Sequence, residues 1–395
     1  MASGAELTSS SAVVYSTAFA TELVYGLLSI VLPLYYQSVG ITITMIGIII
    51  SGYAIAEIIF KISAGYLVSR IHPRRLLLIG ISSFAATPSL YLASRDIAYQ
   101  FTVRFLNGLA VALFWPVLLA FVVRDAKSKT ENVARFTMWE SIGLSIGTLL
   151  AGPLLQFEGA SVPLYISGFC MLIPLFLVTR SYTQLSETGL GSQRYGSPSP
   201  GISKPALRGR TLGYWFMPVV YMVGIANMLV YVPLFAHNAG IDPSWISLAL
   251  TGQVIAKIVL QIPAGRLSAR SGSKPVVLVG LLFMSFSFLG INYFGGSEVG
   301  LLTIMILLGI GTGLTYPPMI SLFSDLSSNK TAIMGVYGTI SDAGFVAGPW
   351  LTSLLLISIS NNVEVAFALS SVVMLLPVVL IVSGSLAGKM GKMQL

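Results

Sequence analysis

Three charged side chains, Glu22, Arg104 and Lys257, stand deep inside long apolar stretches of the sequence. An ionisable group at the centre of a bilayer-spanning helix costs roughly 2.5–3.5 kcal/mol on insertion scales, so such a group faces a partner or water and is a functional candidate. Counted at 1.5 Å per residue, Glu22 lies roughly 15 Å from the nearer membrane face, and Arg104 lies at a similar depth. Glu22 is therefore a candidate proton acceptor whose proton affinity depends on its hydration.

The composition indicates what kind of protein must hold these groups. Of the 395 residues, 55% are hydrophobic and 9% are charged, whereas soluble globular domains carry about 25% charged residues. A cytosolic enzyme, a disordered chain and a secreted disulfide scaffold are thereby excluded. Cys170 is the single cysteine, so one chain cannot form a disulfide or a cysteine-based metal cluster. We expect no metal and no cofactor.

Apolar segments of about 20 residues, long enough to cross a bilayer, occur twelve times. We therefore predict an all-α integral membrane protein with two pseudo-symmetric six-helix bundles, at residues 1–180 and 211–395. Residues 181–210 are rich in Ser, Gly and Pro and are typical of a flexible cytoplasmic linker. The predicted spans are 13–36, 43–68, 76–94, 97–123, 134–156, 161–180, 211–236, 244–268, 275–294, 298–324, 331–358 and 364–387.

The placement of lysine and arginine predicts the orientation, because basic residues are retained on the cytoplasmic side. With both termini in the cytoplasm, 18 of the 22 basic residues lie inside. The formal net charge of +8 is then a topology signal, and we predict no nucleic-acid partner. We predict a multi-pass monomer of the plasma membrane, with the lipid bilayer as its surroundings.

The two halves of the sequence repeat each other. Residues 56–70 align with residues 256–270 at an offset of 200, and Pro116 aligns with Pro317 at an offset of 201. The triplet Ala-Gly-Pro at 151–153 aligns with the same triplet at 347–349 at an offset of 196. Because six spans separate the copies, the repeat is parallel, and a ligand site is expected between the halves near the membrane midplane.

Three short motifs follow one another along the predicted spans. The loop after the second span reads Gly65-Tyr-Leu-Val-Ser-Arg-Ile-His-Pro-Arg-Arg75, the fourth span carries Arg104-Phe-Leu-Asn-Gly108, and the fifth carries Gly143-Leu-Ser-Ile-Gly-Thr-Leu-Leu-Ala-Gly-Pro153. In this order and spacing the whole chain resembles the major facilitator superfamily, although Ser69 stands where that family has an Asp. The resemblance implies a secondary active transporter that works by alternating access.

The resemblance also implies which buried charges meet. The first and fourth helices line the cavity in that family, so Glu22 and Arg104 are expected to face each other, as a proton-coupling pair or as a static ion pair. The second helix packs against the eleventh, so Lys61 is expected to pair with Asp342, or locally with Glu57. The residues assigned to gating are Glu57, Lys61, Ser69, Arg70, Glu140 and Asp342.

A second set of residues is predicted to line the substrate cavity. Lys257 lies about twelve residues from the end of its helix, a long reach for a lysine that would extend to the interface. Trp115 and Tyr316 precede the matched prolines of the fourth and tenth spans, although aromatic residues at helical spacing are more often packing residues. The cavity candidates are Lys257, Trp115, Tyr316, Tyr25, Asn227 and Tyr231.

The energy source is predicted from what the sequence contains. It has no Gly-x-x-x-x-Gly-Lys-Ser/Thr loop, so energy from bound ATP is not expected, and the glycines of residues 309–313 predict close helix packing. Through the family resemblance, the buried carboxylates and the Gly-Pro motif of the fifth span imply the leading prediction, proton-coupled export of amphiphilic or cationic small molecules. The alternative is a proton-coupled organic-anion carrier that uses Arg104 and Lys257, and a third possibility is a membrane receptor or enzyme without transport.

Overall fold

The computed structural model describes residues 4–122, 129–180, 212–326, 330–358 and 362–393. Within these ranges the chain forms thirteen helices and no strand. The helices are α1 (Gly4–Ser38), α2 (Ile43–Arg70), α3 (Pro73–Leu90), α4 (Ile97–Val122), α5 (Lys129–Glu158), α6 (Ser161–Cys170), α7 (Leu172–Arg180), α8 (Leu212–Asn238), α9 (Pro243–Ser271), α10 (Ser273–Phe294), α11 (Glu298–Ser324), α12 (Lys330–Ser358) and α13 (Glu364–Met393).

Eleven spans in the described ranges are long and apolar enough to cross a membrane. Helices α6 and α7 meet at Met171 and together form one of these spans, Ser161–Arg180. Helix α3 does not qualify, because Arg74 and Arg75 lie at its start and lower the mean hydropathy of its 18 residues. The all-α membrane fold predicted from the sequence is confirmed, although the third span ends at Leu90 and not at residue 94.

The chain divides into two compact units, Met1–Ser197 and Pro198–Leu395, and the predicted linker at 181–210 lies outside the described residues. In the first unit α1 packs against α5, α2 and α3 pack against α4, and α3 packs against α6. In the second unit α8 packs against α12, α9 and α10 pack against α11, and α10 packs against α13. Each helix pair of the first unit therefore has its counterpart in the second.

Glycines form the closest helix contacts, because a Cβ atom at these positions would overlap the neighbouring backbone. Gly108 of α4 lies against the carbonyl oxygen of Tyr53 in α2, and the matching Gly309 of α11 lies against the carbonyl oxygen of Gln253 in α9. One turn further along α11, a Cβ on Gly313 would lie 2.8 Å from the carbonyl oxygen of Lys257, one turn after Gln253 in α9. Small residues four positions apart permit this approach, so the packing predicted for residues 309–313 is confirmed.

The contact between α5 and α1 corrects the register of the sequence repeat. Gly147 lies against the carbonyl oxygen of Leu23, and Gly348 of α12 lies against the carbonyl oxygen of Val223 in α8. These two glycines are therefore equivalent, at an offset of 201. The alignment of Gly152 with Gly348 is wrong by about one and a half helical turns, because helix contact follows the spacing of small residues and not the repeated Ala-Gly-Pro triplet.

The first helix of each unit ends in the same way. Gly40 and Gly240 have φ angles of 85° and 83°, a conformation that glycine adopts without steric cost. The next amide in each turn bonds back into the helix, from Ile41 N to the Tyr36 carbonyl at 2.9 Å and from Ile241 N to the Ala236 carbonyl at 3.0 Å. This is the hydrogen-bond pattern of a Schellman cap, and it explains why the Gly-Ile pair recurs in both halves.

Two glycines of α12 offer a matched test of this packing. A Cβ on Gly344 would overlap the backbone of Val219 in α8, whereas a Cβ on Gly338 would meet no atom within 4 Å. We expect Gly344→Ala to lower the free energy of unfolding by about 1–3 kcal/mol through overpacking, and Gly338→Ala to leave it unchanged or raise it slightly. Thermal unfolding in detergent measures both variants, and equal shifts would contradict the close approach of α8 and α12.

Candidate functional site

Arg104 is the buried cation of the first unit and has a relative exposure of 4%. Its guanidinium carbon lies 4.8 Å from the centre of the Tyr53 ring, and its Nη1 donates to Asn107 Oδ1 at 3.3 Å. Asn107 in turn donates from Nδ2 to Thr87 Oγ1 of α3 at 2.7 Å. Because a buried charge is costly unless other groups compensate it, the tyrosine face and the Asn107–Thr87 chain together hold Arg104 in place within α4.

Two tyrosines are close to both this cation and two carboxylates. The Tyr25 and Tyr53 ring centres are 6.0 Å apart. The charges of Glu22, Glu57 and Arg104 all act on both phenols. Tyr25 of α1 and Tyr53 of α2 are therefore shared neighbours of two carboxylates and one guanidinium.

We call this set of Glu22, Tyr25, Tyr53, Glu57 and Arg104 the charge cluster. Glu22 and Glu57 are half-buried, so both carboxylates keep access to water or a ligand while Arg104 does not. Protonation of either carboxylate, or a bound cation near it, would change the electrostatic balance of the whole cluster, because charges interact strongly where the effective dielectric constant is low.

The second unit has its own cation over an aromatic ring. Lys257 Nζ lies 5.4 Å from the centre of the Tyr316 ring, and Tyr316 stacks on Tyr221 with a centroid distance of 5.8 Å and an angle of 27°. One turn before Lys257, Gln253 Nε2 donates to Thr312 Oγ1 at 3.2 Å. Lys257 and Tyr316, which the sequence suggested separately, are thus neighbours in the structure, and both are half-buried.

Asn227 and Tyr231, two of the predicted cavity residues, are buried and hydrogen-bonded to adjacent helices, and their place in the substrate cavity stays a prediction. Both have 0% exposure. Asn227 Nδ2 donates to Ser370 Oγ of α13 at 2.9 Å, and its Oδ1 accepts from Thr352 Oγ1 of α12 at 3.2 Å. The Tyr231 hydroxyl donates to the Pro349 carbonyl at 3.1 Å. Their polar groups are used to join α8 to its two neighbours.

The remaining predicted residues lie in varied surroundings. Trp115 is half-buried and packs edge-on against Phe114 and Phe136, with centroid distances of 6.3 and 5.6 Å, which is an arrangement typical of packing. Glu140 in α5 and Asp342 in α12 are half-buried. The side chains of Lys61, Ser69 and Arg70 lie outside the described residues, so the pairing of Lys61 with Asp342 stays a prediction.

The sequence analysis did not single out three polar residues of these sites. Tyr53 stands four residues before Glu57, and Gln253 stands four residues before Lys257 at the repeat offset of 200. Asn107 stands three residues after Arg104. Spacings of three and four place side chains on one helix face, so a search around the buried charges would have found them. Among the described residues, no group of three or more His, Cys, Asp or Glu side chains could hold a metal ion.

The sequence and the fold both match known membrane proteins. The family model of the Major Facilitator Superfamily matches residues 14–234 and 214–385. An uncharacterized MFS-type transporter of Methanocaldococcus jannaschii is 24% identical over 349 residues, which are 85% of this chain and 88% of the relative. Multidrug resistance protein 2 of Bacillus subtilis is 22% identical over 92% of both chains. Quinolone resistance protein NorA of Staphylococcus aureus is 19% identical over 87% of this chain and 89% of the relative.

Solved structures share the fold at low sequence identity. The nucleoside transporter NupG superposes with a TM-score of 0.77 at 14% identity and covers 95% of this chain and 98% of its own. A POT family transporter in complex with a thioalcohol-conjugated peptide gives a TM-score of 0.75 at 12% identity, over 94% of this chain and 95% of its own. With nearly the full length matched in sequence and in structure, this chain belongs to the major facilitator superfamily and is a multi-pass membrane transporter, not an enzyme.

Proposed function

We propose that this transporter exports amphiphilic or cationic small molecules in exchange for protons, by alternating access. The charge cluster of the first unit carries the proposal, because the charges of two half-buried carboxylates and one buried guanidinium all act on Tyr25 and Tyr53, and the guanidinium lies over the Tyr53 ring. A cluster of this kind can exchange one positive charge for another, which is what coupled export requires.

The exchange follows from the charges of the cluster. When Glu22, Glu57 and Arg104 are all ionised, the three side chains carry one net negative charge. A proton on one carboxylate neutralises it, and so does a bound cation. Because net charge in a poorly solvated site is costly, binding of the cation favours loss of the proton, and protonation favours release of the cation. Glu22 is the proposed proton carrier, and Arg104 sets the charge against which that proton is held.

The relatives support the direction of transport. Two of them are named as resistance proteins, Multidrug resistance protein 2 and Quinolone resistance protein NorA, and each matches more than 85% of this chain. Resistance of this kind is consistent with outward movement of the compound. The distribution of basic residues supports a plasma-membrane protein with both termini in the cytoplasm, and we propose that it acts as a monomer.

A specific observation favours a second candidate function. Lys257 lies over the Tyr316 ring in the second unit, so a cation is present there as well as at Arg104. Two cations in the two units would attract an organic anion, and the transporter would then be a proton-coupled carrier of carboxylates. Glu22, Glu57 and Asp342 balance Arg104, Lys61 and Lys257 in number, and Glu140 tips that balance toward a cationic or amphiphilic substrate.

The first of three predictions on transport concerns Glu22. In liposomes, Glu22→Gln should abolish uphill transport of ethidium driven by a pH gradient, because an amide cannot carry the proton, while counterflow exchange of ethidium persists. Glu298→Gln is the matched control, since Glu298 stands in the first turn of α11, and it should transport normally. Full gradient-driven accumulation by Glu22→Gln would refute the role given to this carboxylate.

The second prediction concerns the shape of the Arg104 side chain. A lysine keeps the charge but lacks the planar guanidinium that lies over Tyr53 and donates to Asn107. We expect Arg104→Lys to lose gradient-driven transport almost as fully as Arg104→Gln, with uphill ethidium uptake as the measurement. If lysine restored normal transport, the charge alone would suffice, and the geometry described for the Tyr53 ring and Asn107 would have no role in coupling.

The third prediction separates the two candidate functions. If the substrate is cationic or amphiphilic, the affinity for anions should be the same in Lys257→Gln as in wild type, or too weak to measure in both. The affinity for cations should rise in Lys257→Gln, because the substitution removes a repulsive charge. Equilibrium binding of 2-naphthoate and of 2-naphthylmethylammonium to both proteins gives the comparison. Loss of naphthoate binding with no change for the ammonium ligand would establish the organic-anion carrier instead.

A further inference from the structure

We infer that the second unit contains a binding subsite for an uncharged, planar aromatic ring that carries a carbonyl oxygen. The subsite consists of the hydroxyl groups of Tyr221, Tyr337 and Ser341, with Lys257 and Tyr316 on its more exposed side. The inference rests on the proposed function in one respect only: it specifies which uncharged amphiphiles the transporter takes in addition to cations.

The three hydroxyls are the first reason for a ligand. Tyr221, Tyr337 and Ser341 have exposures of 1%, 8% and 4%. The Tyr221 hydroxyl has no hydrogen-bond partner among the described residues, while the Tyr337 and Ser341 hydroxyls have at most each other. A buried polar atom left without a partner costs about 1–3 kcal/mol. Other buried hydroxyls of this unit, such as those of Ser285 and Ser371, are paired with each other at 2.8 Å.

The hydroxyls lie together although they come from different helices. Tyr337 and Ser341 are one turn apart in α12, where residues four positions apart share a helix face. Tyr221 of α8 and Tyr316 of α11 are stacked on each other, and the phenols of both lie close enough to Tyr337 to interact with it electrostatically. The unpartnered groups therefore converge from α8 and α12 on one place beside Tyr316.

The walls of this place are aromatic. Tyr337 packs edge-on against Phe323 with a centroid distance of 5.3 Å, and Phe323 packs edge-on against Trp215 at 5.4 Å. Tyr221 and Tyr316 form a second, stacked pair. Aromatic side chains offer rings for offset stacking and edge-to-face contacts, so the part of the ligand that lies against them is expected to be a flat ring.

Lys257 determines which polar group a bound ring can carry. A phenol or an alcohol can donate to an acceptor or accept from a donor, and hydroxyls alone would not discriminate between a carbonyl and an ammonium. The Lys257 ammonium lies over Tyr316, donates only, and repels a cationic group nearby. The subsite therefore selects an oxygen acceptor, and a neutral carbonyl satisfies the hydroxyls without the cost of removing an ion from water.

Coumarin and naphthalene form the test pair, because both are flat two-ring molecules and coumarin alone carries a carbonyl. Equilibrium dialysis against full-length protein in lipid nanodiscs, with protein-free nanodiscs as the blank, measures the affinity ratio of the two ligands. We expect wild type to bind coumarin about tenfold more tightly than naphthalene. Tyr337→Phe and Tyr221→Phe should each bring that ratio close to one, and Tyr221→Phe should leave the melting temperature without ligand unchanged or higher, because it removes a hydroxyl that has no partner.

Tyr35→Phe is the control, since the Tyr35 hydroxyl is also buried but donates to the Tyr91 carbonyl at 3.2 Å. It should lower the melting temperature and leave the affinity ratio unchanged. If a phenylalanine variant does not fold, Ser341→Ala provides the same measurement. The inference is overturned if wild type shows no preference for coumarin, if the ratio survives these substitutions, or if the loss of the Tyr221 hydroxyl destabilises the protein without ligand. No ion gradient is present, so failure of proton coupling would leave these results unaffected.

Discussion

The close approach of helix backbones at glycine positions determines where the polar groups of this transporter lie. Gly108 brings α4 against the backbone of Tyr53, and Arg104, one turn earlier in α4, lies over the ring of the same tyrosine. In the second unit Gly313 lies against the backbone of Lys257, and the Lys257 side chain lies over Tyr316, less than one turn after Gly313. A side chain at either glycine would separate the helices and break the cation–ring contact.

The two units share this backbone packing but carry different polar side chains on it. Tyr53 and Glu57 of α2 are replaced in α9 by Gln253 and Lys257, at an offset of 200. The first unit thus joins carboxylates to a buried guanidinium, whereas the second joins a lysine to tyrosines and hydroxyls. Two units with one backbone plan and opposite charge preference suit a transporter in which one unit exchanges protons and the other contributes contacts to the substrate.

Much of the fold could be predicted from the sequence, because long apolar segments have few alternatives in a bilayer. The buried charges were equally visible, since Glu22, Arg104 and Lys257 interrupt those segments. The residues that surround these charges could not be identified from the sequence, because a tyrosine such as Tyr53 occurs as often in helix packing as in a functional site. Asn227 and Tyr231 were visible as polar residues in a span, but their hydrogen bonds to adjacent helices could not be predicted from the sequence.

The central claim is that a proton and a cation exchange at the charge cluster of Glu22, Tyr25, Tyr53, Glu57 and Arg104. The most direct measurement is the number of protons released when ethidium binds to the purified transporter in weakly buffered solution, followed with a pH indicator. The account predicts release of about one proton per ethidium bound at a pH where the cluster is protonated, because either positive charge neutralises the same groups. Stoichiometric binding of ethidium with no release of protons would contradict it.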